Sequence, residues 1–351
     1  MNLFNKMNDK TSRRQALKTS VALGAASVIY GTGIFSEPAL SQTIDKAAVV
    51  GDDLPRETVK ALHSAFGEHR ERAVHAKGVV LYGSFVPAPD AQSITKAKIF
   101  TEKAVPVIVR FSDFTGIPDI PDNIGDANPR GLAIKFVASG NEGIDTVSHS
   151  FNGFPTKTSE EFAQLFRAIG ASGATATKPT ALDTFLNSHP IAKTFLTTQK
   201  PAPESFATVP FFSVNAFVFL SEKMKKTYVR YRFVPQAGEK FLNPEEIASK
   251  GPNYLATEIA ERVHAGPIFF DWFAQIAETT DLVDDPSIAW PEVRKLVKLG
   301  TIKVDRIAQD QIKASKELSF NPGRLPDGIE IADPMLAVRK AAYPISLIER
   351  Q

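Results

Sequence analysis

Two stretches of the chain carry side chains whose types and spacing suit proton and metal chemistry. Near the C-terminus, Arg339 precedes Tyr343 by four residues in LAVRKAAYP. On a helix, side chains four residues apart are neighbours, so the guanidinium can lie against the phenol oxygen. An arginine and a Lewis-acidic metal together can hold a tyrosine as phenolate, the form that binds metals. The pair indicates either a tyrosinate ligand or a packing pair on an exposed helix. Spacing alone favours the packing pair.

The second stretch is ERAVHAKG, in which Arg72 lies three residues before His75. The surrounding pattern predicts that a helix ends and a strand begins there. Histidine has an ordinary pKa of about 6.5 and can act as a general acid or base. A single histidine is more often structural, and ERVHAG around His264 has nearly the same letters at an ordinary helix end. A catalytic role for His75 therefore needs support from other residues.

A strand with polar side chains on one face supplies such residues. In VRFSDF, Arg110 and Ser112 are two residues apart and share a face of the predicted strand. An arginine directed inward is costly unless it meets an anion. That anion is either an Asp or Glu in a salt bridge or a ligand carboxylate held by Arg72 and Arg110 together. Ser112 can hold His75 in one tautomer through a hydrogen bond.

The composition excludes several other kinds of site. The 351 residues include no cysteine, which rules out disulfides, thiolate nucleophiles and cysteine metal sites. None of the six histidines forms an HExxH pair. Phenylalanine is unusually frequent, with 25 residues against 6 Tyr and 2 Trp, and this predicts a phenylalanine-rich core.

Residues 1–42 have the pattern of a twin-arginine export signal. Arg13 and Arg14 precede the apolar run Val21 to Phe35, shorter than the roughly 18 to 20 residues that span a bilayer. The alternative is an N-terminal anchor helix. Without this segment the net charge falls from +2 to about −1, which argues against a nucleic-acid partner. We predict export to the periplasm by the twin-arginine machinery, a tightly bound cofactor and one mature domain at 43–351.

The elements that must position these residues follow from hydrophobic periodicity. Strand patterns occur at 76–87, 103–112, 128–138, 145–153, 210–220, 227–235 and 267–278, the fourth being a short strand or a turn. Helix patterns occur at 54–75, 159–172, 253–266 and 335–342, the last ending before Pro344. Strands dominate the middle of the chain and helices flank them, which predicts an α+β fold.

Taken together, four motifs resemble the haem catalases in order and separation. They are ERAVHAKG, VRFSDF, NPRGLAIKF and NPGRLPDGIEIADPMLAVRKAAYP, and the resemblance extends over residues 54–350. FFSVNAFVFL and AWPEVRKLVKLGTIKV also resemble later core segments of that family. The resemblance implies an antiparallel β-barrel with flanking helices, haem b with its iron as cofactor, and a peroxide substrate.

The resemblance also implies roles for individual residues. His75 matches the distal acid/base and Ser112 its hydrogen-bonding partner, while Tyr343 matches the proximal iron ligand and Arg339 the arginine that keeps it anionic. The arginines that match the ligands of the haem propionates are Arg72, Arg110 and Arg350. The aromatic residues that match the lining of the distal face and haem edge are Phe154 and Phe162.

The sequence departs from the family pattern in the distal pocket. Typical catalases have an asparagine-rich stretch where this chain has SHSFNGFP, so either His149 replaces the asparagine or a shifted loop presents Asn152. Asn128 replaces an aspartate before Pro129, and the sequence ends just after Arg350 without the family's wrapping segments. A short, exported chain of this kind most resembles the catalase-related peroxidases.

The expected activity is reduction of organic peroxides, hydrogen peroxide or both, with a small-molecule reductant and possible weak catalase activity. The sequence leaves two alternatives to this activity: a lipid hydroperoxide isomerase or dehydratase on a catalase-like barrel, and a non-catalytic periplasmic carrier of haem or lipid. Lacking the wrapping segments, the protein is expected to be a monomer or a loose dimer.

Overall fold

A computed structural model describes residues 53–140, 142–198 and 200–351 of the chain. The export signal predicted at 1–42 lies outside the described residues. Within them, no helix is both long and apolar enough to cross a membrane.

The centre of the fold is a closed antiparallel β-barrel. Eight strands pair in the order β4-β3-β2-β1-β8-β7-β6-β5, and pairing of β4 with β5 closes the ring. A short ninth strand pairs with the second half of β5. The strands are β1 Gly78–Pro87, β2 Val105–Ser112, β3 Gly131–Phe136, β4 Asp145–His149, β5 Phe211–Leu220, β6 Lys226–Pro235, β7 Ile268–Ile276, β8 Leu296–Ile307 and β9 Ile329–Ile331. The predicted antiparallel barrel with flanking helices is confirmed.

Alternation along the strands separates the barrel interior from its outer face. In β2, Val107, Val109 and Phe111 join the interior core, while Arg110 and Ser112 face outward. The interior is packed with aromatic rings, as the composition predicts, and Trp272 stacks 4.8 Å from Phe136. Because side chains fill the barrel, a ligand site has to lie outside its wall.

Helices cover part of the barrel's outer face. They are α1 Asp53–Phe66, α2 Ser159–Gly170, α3 Ala181–Ser188, α4 Pro190–Thr197, α5 Pro244–Ser249, α6 Tyr254–Ala265, α7 Gln311–Glu317 and α8 Met335–Glu349. Thr158 caps α2 by accepting a hydrogen bond from the backbone N–H of Glu161, as its sequence predicts. A second apolar core joins α1, α2 and α8 through Phe66, Phe166 and Ile345.

The prediction of one helix from Leu54 to His75 is wrong in its second half. Helix α1 ends at Phe66, and Gly67 follows with φ +88° while its N–H donates to the carbonyl of His63. Glycine in the left-handed region ends a helix at low cost. His75 itself has φ +58°, so the chain reaches β1 as an irregular segment rather than as a helix end.

The predicted end of the last helix before Pro344 is also wrong. Helix α8 continues through Pro344 to Glu349. Proline removes the N–H that would bond to the carbonyl of Lys340 four residues earlier. The side-chain amide of Asn321 donates to that carbonyl at 3.0 Å instead. A tertiary contact thus satisfies the acceptor that the sequence pattern alone leaves unpaired.

Candidate active site

An apolar cavity lies between the outer face of the barrel wall and the helices α1 and α8. Across the wall, Ser112, Gly131, His149 and Phe212 are direct neighbours on β2, β3, β4 and β5 and share the face that lines the cavity. The structure brings ten of the eleven predicted site residues to the cavity: Arg72, His75, Arg110, Ser112, His149, Phe154, Phe162, Arg339, Tyr343 and Arg350.

The imidazole of His75 is held in one orientation by a backbone carbonyl and a side-chain hydroxyl. Its Nδ1 lies 2.8 Å from the carbonyl oxygen of Asp113 and 3.1 Å from the hydroxyl of Ser112. A carbonyl can only accept, so Nδ1 carries the proton and Nε2 remains a base. The carbonyl of His75 accepts a hydrogen bond of 2.8 Å from Arg110. The predicted Ser112 contact is present, and the Asp113 carbonyl is an additional determinant that the sequence does not signal.

His75 is neutral at ordinary pH. Burial, with a smaller contribution from the nearby charge of Arg110, lowers the pKa of His75 from 6.5 to about 4. Space for its ring depends on Gly131, where a Cβ atom would lie 2.7 Å from Nδ1 of His75 and 2.4 Å from Oγ of Ser112. The site therefore holds an uncharged base with an unprotonated nitrogen available to a ligand.

Of the two candidates for the distal asparagine position, the structure brings only His149 to the cavity. Both of its ring nitrogens are buried, and neither makes a hydrogen bond of good geometry to a described residue, although the backbone of Phe151 lies near enough to interact with the ring. Burial, then the neighbouring His75, lowers the pKa of His149 to about 3. Asn152 lies three residues farther along, in a separate surface pocket with Phe151. An uncharged imidazole therefore occupies the position near His75.

Tyr343 and Arg339 form the predicted contact on α8. A guanidinium nitrogen of Arg339 donates to the phenol oxygen of Tyr343 over 2.9 Å. Arg339 also donates to the side-chain oxygen of Asn215, whose amide donates to Asp333 over 2.7 Å. Asp333 in turn accepts from the backbone N–H of Met335 at the start of α8. The relay fixes both the helix start and the arginine.

Asn215 and Asp333 are not among the site residues predicted from the sequence. Both side chains are fully buried. Burial raises the pKa of Asp333, although the hydrogen bond from Asn215 acts in the opposite direction. One signal was available, because an asparagine within the apolar strand FFSVNAFVFL must satisfy its amide inside the fold. The partner of this asparagine could not be identified without knowing how β5 packs beside the start of α8.

Three arginines converge at one edge of the cavity. Arg72 and Arg350 both donate to the carbonyl of Leu318, at 2.5 and 2.6 Å, while Arg110 donates to the carbonyls of His75 and Ala76. Burial is the main cause that lowers the pKa values of all three arginines. Nearby arginine charges lower the pKa values of Arg72 and Arg110 further. Within the part of the chain that the structure describes, none of the three forms an ion pair with a carboxylate.

A buried network of charges lies behind His75. Arg130, which has no exposed side-chain surface, pairs with Asp113, while Lys77 pairs with Asp122. Burial raises the pKa of Asp113 to about 7, and the charge of Arg130 opposes that rise. Because the carbonyl of Asp113 orients His75, this network anchors the segment on which the base depends.

The cavity offers a metal few protein ligands. Among the described residues, no group of three His, Asp or Glu side chains could hold a metal ion. The phenol oxygen of Tyr343 remains as the candidate ligand on the α8 wall, opposite the barrel wall that supports His75.

Comparison with known families agrees with this geometry. The sequence model of the catalase family matches residues 48–351, which is most of the chain. The chain therefore belongs to the catalase family. Solved catalases share its fold: a fungal catalase superposes with a TM-score of 0.71 at 22% identity, covering 80% of this chain and 59% of that one. Catalase A from Saccharomyces cerevisiae gives a TM-score of 0.70 at 20% identity, covering 80% and 61%.

Within the family, the chain is similar to shorter proteins over nearly their whole length. It is 30% identical to a catalase-related peroxidase of Synechococcus elongatus, with 84% of this chain and 88% of that protein covered. It is 32% identical to a catalase-related peroxidase of Mycolicibacterium paratuberculosis, with 79% and 88% covered. A catalase of Vibrio vulnificus is 28% identical, and the match covers 78% of this chain but 56% of that protein.

Proposed function

We propose that the protein is a haem-dependent peroxidase that reduces hydrogen peroxide or organic hydroperoxides with electrons from a small molecule. One observation carries the proposal: His75 on the barrel wall and the Arg339–Tyr343 pair on α8 line the same cavity. Membership of the catalase family and the similarity to catalase-related peroxidases support a peroxide-acting, catalase-like oxidoreductase.

The residues of the cavity fit a haem b group. Tyrosine is a known proximal ligand of haem iron, and the Tyr343 oxygen already contacts Arg339. Haem b also carries two carboxylates, which could pair directly with the three arginines that form no ion pair among the described residues. Between these polar ends the lining is largely apolar, including Val59, Leu62, Val74, Phe162, Val214 and Val338. Tyr343 would hold the iron, and Arg72, Arg110 and Arg350 would hold the carboxylates.

The protein's own contribution to the chemistry is proton transfer at His75. When bound, the haem iron supplies the electrons that cleave the peroxide O–O bond. The unprotonated Nε2 of His75 takes a proton from the peroxide and returns it to the departing oxygen. The departing group then leaves as water or an alcohol rather than as hydroxide or alkoxide. His149, whose ring nitrogens make no hydrogen bond of good geometry within the described part of the chain, can hydrogen-bond the peroxide in the same cavity.

Hemin titration and rapid mixing test the proposal. Purified protein is expected to bind hemin and to change its visible spectrum when peroxide is added. His75→Ala should retain hemin but react with peroxide about 10² to 10⁴ times more slowly, because proton transfer is lost. Tyr343→Phe should lose the normal spectrum. His264→Ala, an exposed histidine in the similar ERVHAG stretch, is the matched control. Protein that does not bind hemin, or an unchanged Tyr343→Phe spectrum, would refute the proposal.

The export route is a separate part of the proposal. The Arg13-Arg14 pair and the short apolar run after it support transport to the periplasm by the twin-arginine machinery. Replacement of both arginines by lysine should leave the protein in the cytoplasm, as measured by cell fractionation. Periplasmic recovery of that variant would contradict the proposed route. Light scattering on the same preparations measures the molar mass in solution and tests the expectation of a monomer or dimer.

A further inference from the structure

A second pocket lies on the surface beside the cavity that contains His75. We call it the outer pocket, and its lining residues are Phe151, Asn152, Gly153, Phe154, Pro190, Ile191, Thr194, Phe195 and Ser287. Its volume of about 320 Å³ is near the lower limit for small-molecule sites. Ile191, on the solvent side of α4, is 41% exposed, so the mouth of the pocket is accessible from solution. The pocket plays no part in the proton transfer described above.

Two aromatic rings separate the outer pocket from the cavity. Phe154 and Phe195 line both spaces. Each ring centroid lies 6.4 Å from that of His149, Phe154 stacked on it and Phe195 edge-on. A molecule seated in the outer pocket would therefore be one aromatic side chain away from His149. We call Phe154 and Phe195 the aromatic partition.

The partition is held by packing and by a lysine. The ammonium of Lys200 lies 4.7 Å from the ring centroid of Phe195 and 4.4 Å from that of Phe151. It also donates to the carbonyl of Phe195 over 2.6 Å. Phe154 stacks against Phe162 at 5.3 Å. Phe195 is only 5% exposed and lines both spaces, so its ring lies between the outer pocket and the cavity.

We propose that the outer pocket is the binding site of an aromatic reductant of the phenol class. Its Phe151, Phe154 and Phe195 rings can pack against an aromatic molecule, while Asn152 and Ser287 can hydrogen-bond a phenol hydroxyl. A peroxide that entered through the outer pocket would have to pass the partition to meet His75. A reductant only has to deliver electrons, which can cross a layer one ring thick.

The proposal rests on the peroxidase function proposed above, which supplies the oxidant. For hydrogen peroxide the balanced reaction is H₂O₂ + 2 ArOH → 2 H₂O + 2 ArO•. The O–O bond breaks, and each phenol loses one electron and the proton of its O–H bond. The two electrons and two protons complete two water molecules. The phenoxyl radicals leave through the exposed mouth of the outer pocket.

Blocking the mouth of the outer pocket tests the proposal. The probe is 2-methoxyphenol and the protein is the hemin-loaded enzyme. Ile191→Trp should raise the KM for 2-methoxyphenol at least tenfold, a larger change than in the KM for hydrogen peroxide. Calorimetric titration without peroxide should show the same loss of 2-methoxyphenol binding. Thr194→Trp, on the exposed side of the same helix, should repeat the effect. Ile312→Trp, at an 83% exposed position on α7, is the control and should change neither constant.

Two outcomes in the variants would overturn the inference and leave the peroxidase function intact. One is wild-type KM and binding of 2-methoxyphenol in both variants. The other is a rise confined to the KM for peroxide, which would identify the outer pocket as part of the peroxide's path. Wild-type enzyme that reacts with peroxide but neither binds nor oxidises 2-methoxyphenol would also refute the inference alone, whereas wild-type enzyme whose spectrum does not change with peroxide would refute the peroxidase function itself.

Discussion

At the scale of single residues, the candidate site depends on small spaces and single hydrogen bonds. Gly131 leaves room for the ring of His75, and the carbonyl of Asp113 determines which ring nitrogen carries the proton. Arg110, on the same wall, holds the backbone of His75 in a left-handed conformation by donating to its carbonyl. These contacts allow a histidine that is ordinary by sequence to act as an uncharged base.

Adding one methyl group at Gly131 should disturb this base. In Gly131→Ala, the new Cβ would lie within 2.7 Å of Nδ1 of His75, so the ring must move away from the Asp113 carbonyl. We expect hemin binding to remain while the rate of reaction with peroxide, measured by rapid mixing, falls at least tenfold. Gly125→Ala, where nothing lies within 4 Å of the added atom, is the control. A wild-type rate in Gly131→Ala would show that the ring position is unimportant.

The pH dependence should report the lowered pKa of His75. Its folded pKa of about 4 means that Nε2 is unprotonated above that pH and protonated below it. The value of kcat/KM for peroxide should therefore be level near neutral pH and fall about tenfold per unit below about pH 4. Steady-state rates from pH 3 to 8 measure the profile. A midpoint near the ordinary histidine value would mean that the base is exposed to water.

At the scale of elements, helix α8 carries the residues of one cavity wall on both sides of Pro344. Tyr343 precedes the proline, and Arg350 follows the last turn. The helix continues because Asn321, from the segment before β9, donates to the carbonyl that the proline leaves unpaired. The position of Arg350 at the cavity edge thus depends on a contact with a distant loop.

Removing the Asn321 amide should loosen the end of α8. Asn321→Ala should lower the free energy of unfolding by about 1 kcal/mol, because the Lys340 carbonyl and the N–H of Gly323 lose their partner. In a Pro344→Ala background the restored backbone N–H can bond to Lys340, so the same substitution should cost less. Urea unfolding of the four proteins measures the difference. Equal costs in both backgrounds would show that the amide does not replace the proline's missing donor.

At the scale of the whole molecule, the barrel supplies a rigid wall and the helices close a cavity against it. The interior of the barrel is filled, so the cavity lies outside, where the outward side chains of β2 to β5 meet α8. Three arginines crowd one edge without carboxylate partners among the described residues. Glu71 interacts electrostatically with all three arginines but forms no ion pair with them, so a ligand with two carboxylates would supply the direct partners that this edge lacks.

Hemin should stabilise the fold, and its carboxylates should account for part of the gain. At a free concentration one hundred times its dissociation constant, a ligand that binds only the folded state adds about 2.7 kcal/mol. Chemical unfolding with and without hemin measures the gain. Hemin dimethyl ester, which lacks the carboxylates, should bind more weakly and stabilise less at the same concentration. Equal stabilisation by both would contradict the role assigned to Arg72, Arg110 and Arg350.

Much of the fold was predictable because alternating hydrophobicity is a local property. The seven strand patterns correspond to β1 to β7, but β8 was recognised only as part of a family segment. Both helix boundaries that were wrong depend on tertiary or backbone features: a left-handed Gly67 and the amide that pairs with Lys340. Neither is visible in side-chain periodicity, which records burial and not hydrogen bonding.

The sequence by itself determined the chemical groups: a histidine, a tyrosine with its arginine four residues before it, and an arginine and a serine on one face of a strand. Only the tertiary structure decided which of these groups meet. The pairing of His149 with Gly131 in the barrel brings His149, and not Asn152, to the cavity with His75. The Asp113 carbonyl, Asn215 and Asp333 join the site only through folding. The reason is physical: residue type fixes what an atom can donate or accept, whereas strand register and helix packing fix which partner lies within reach.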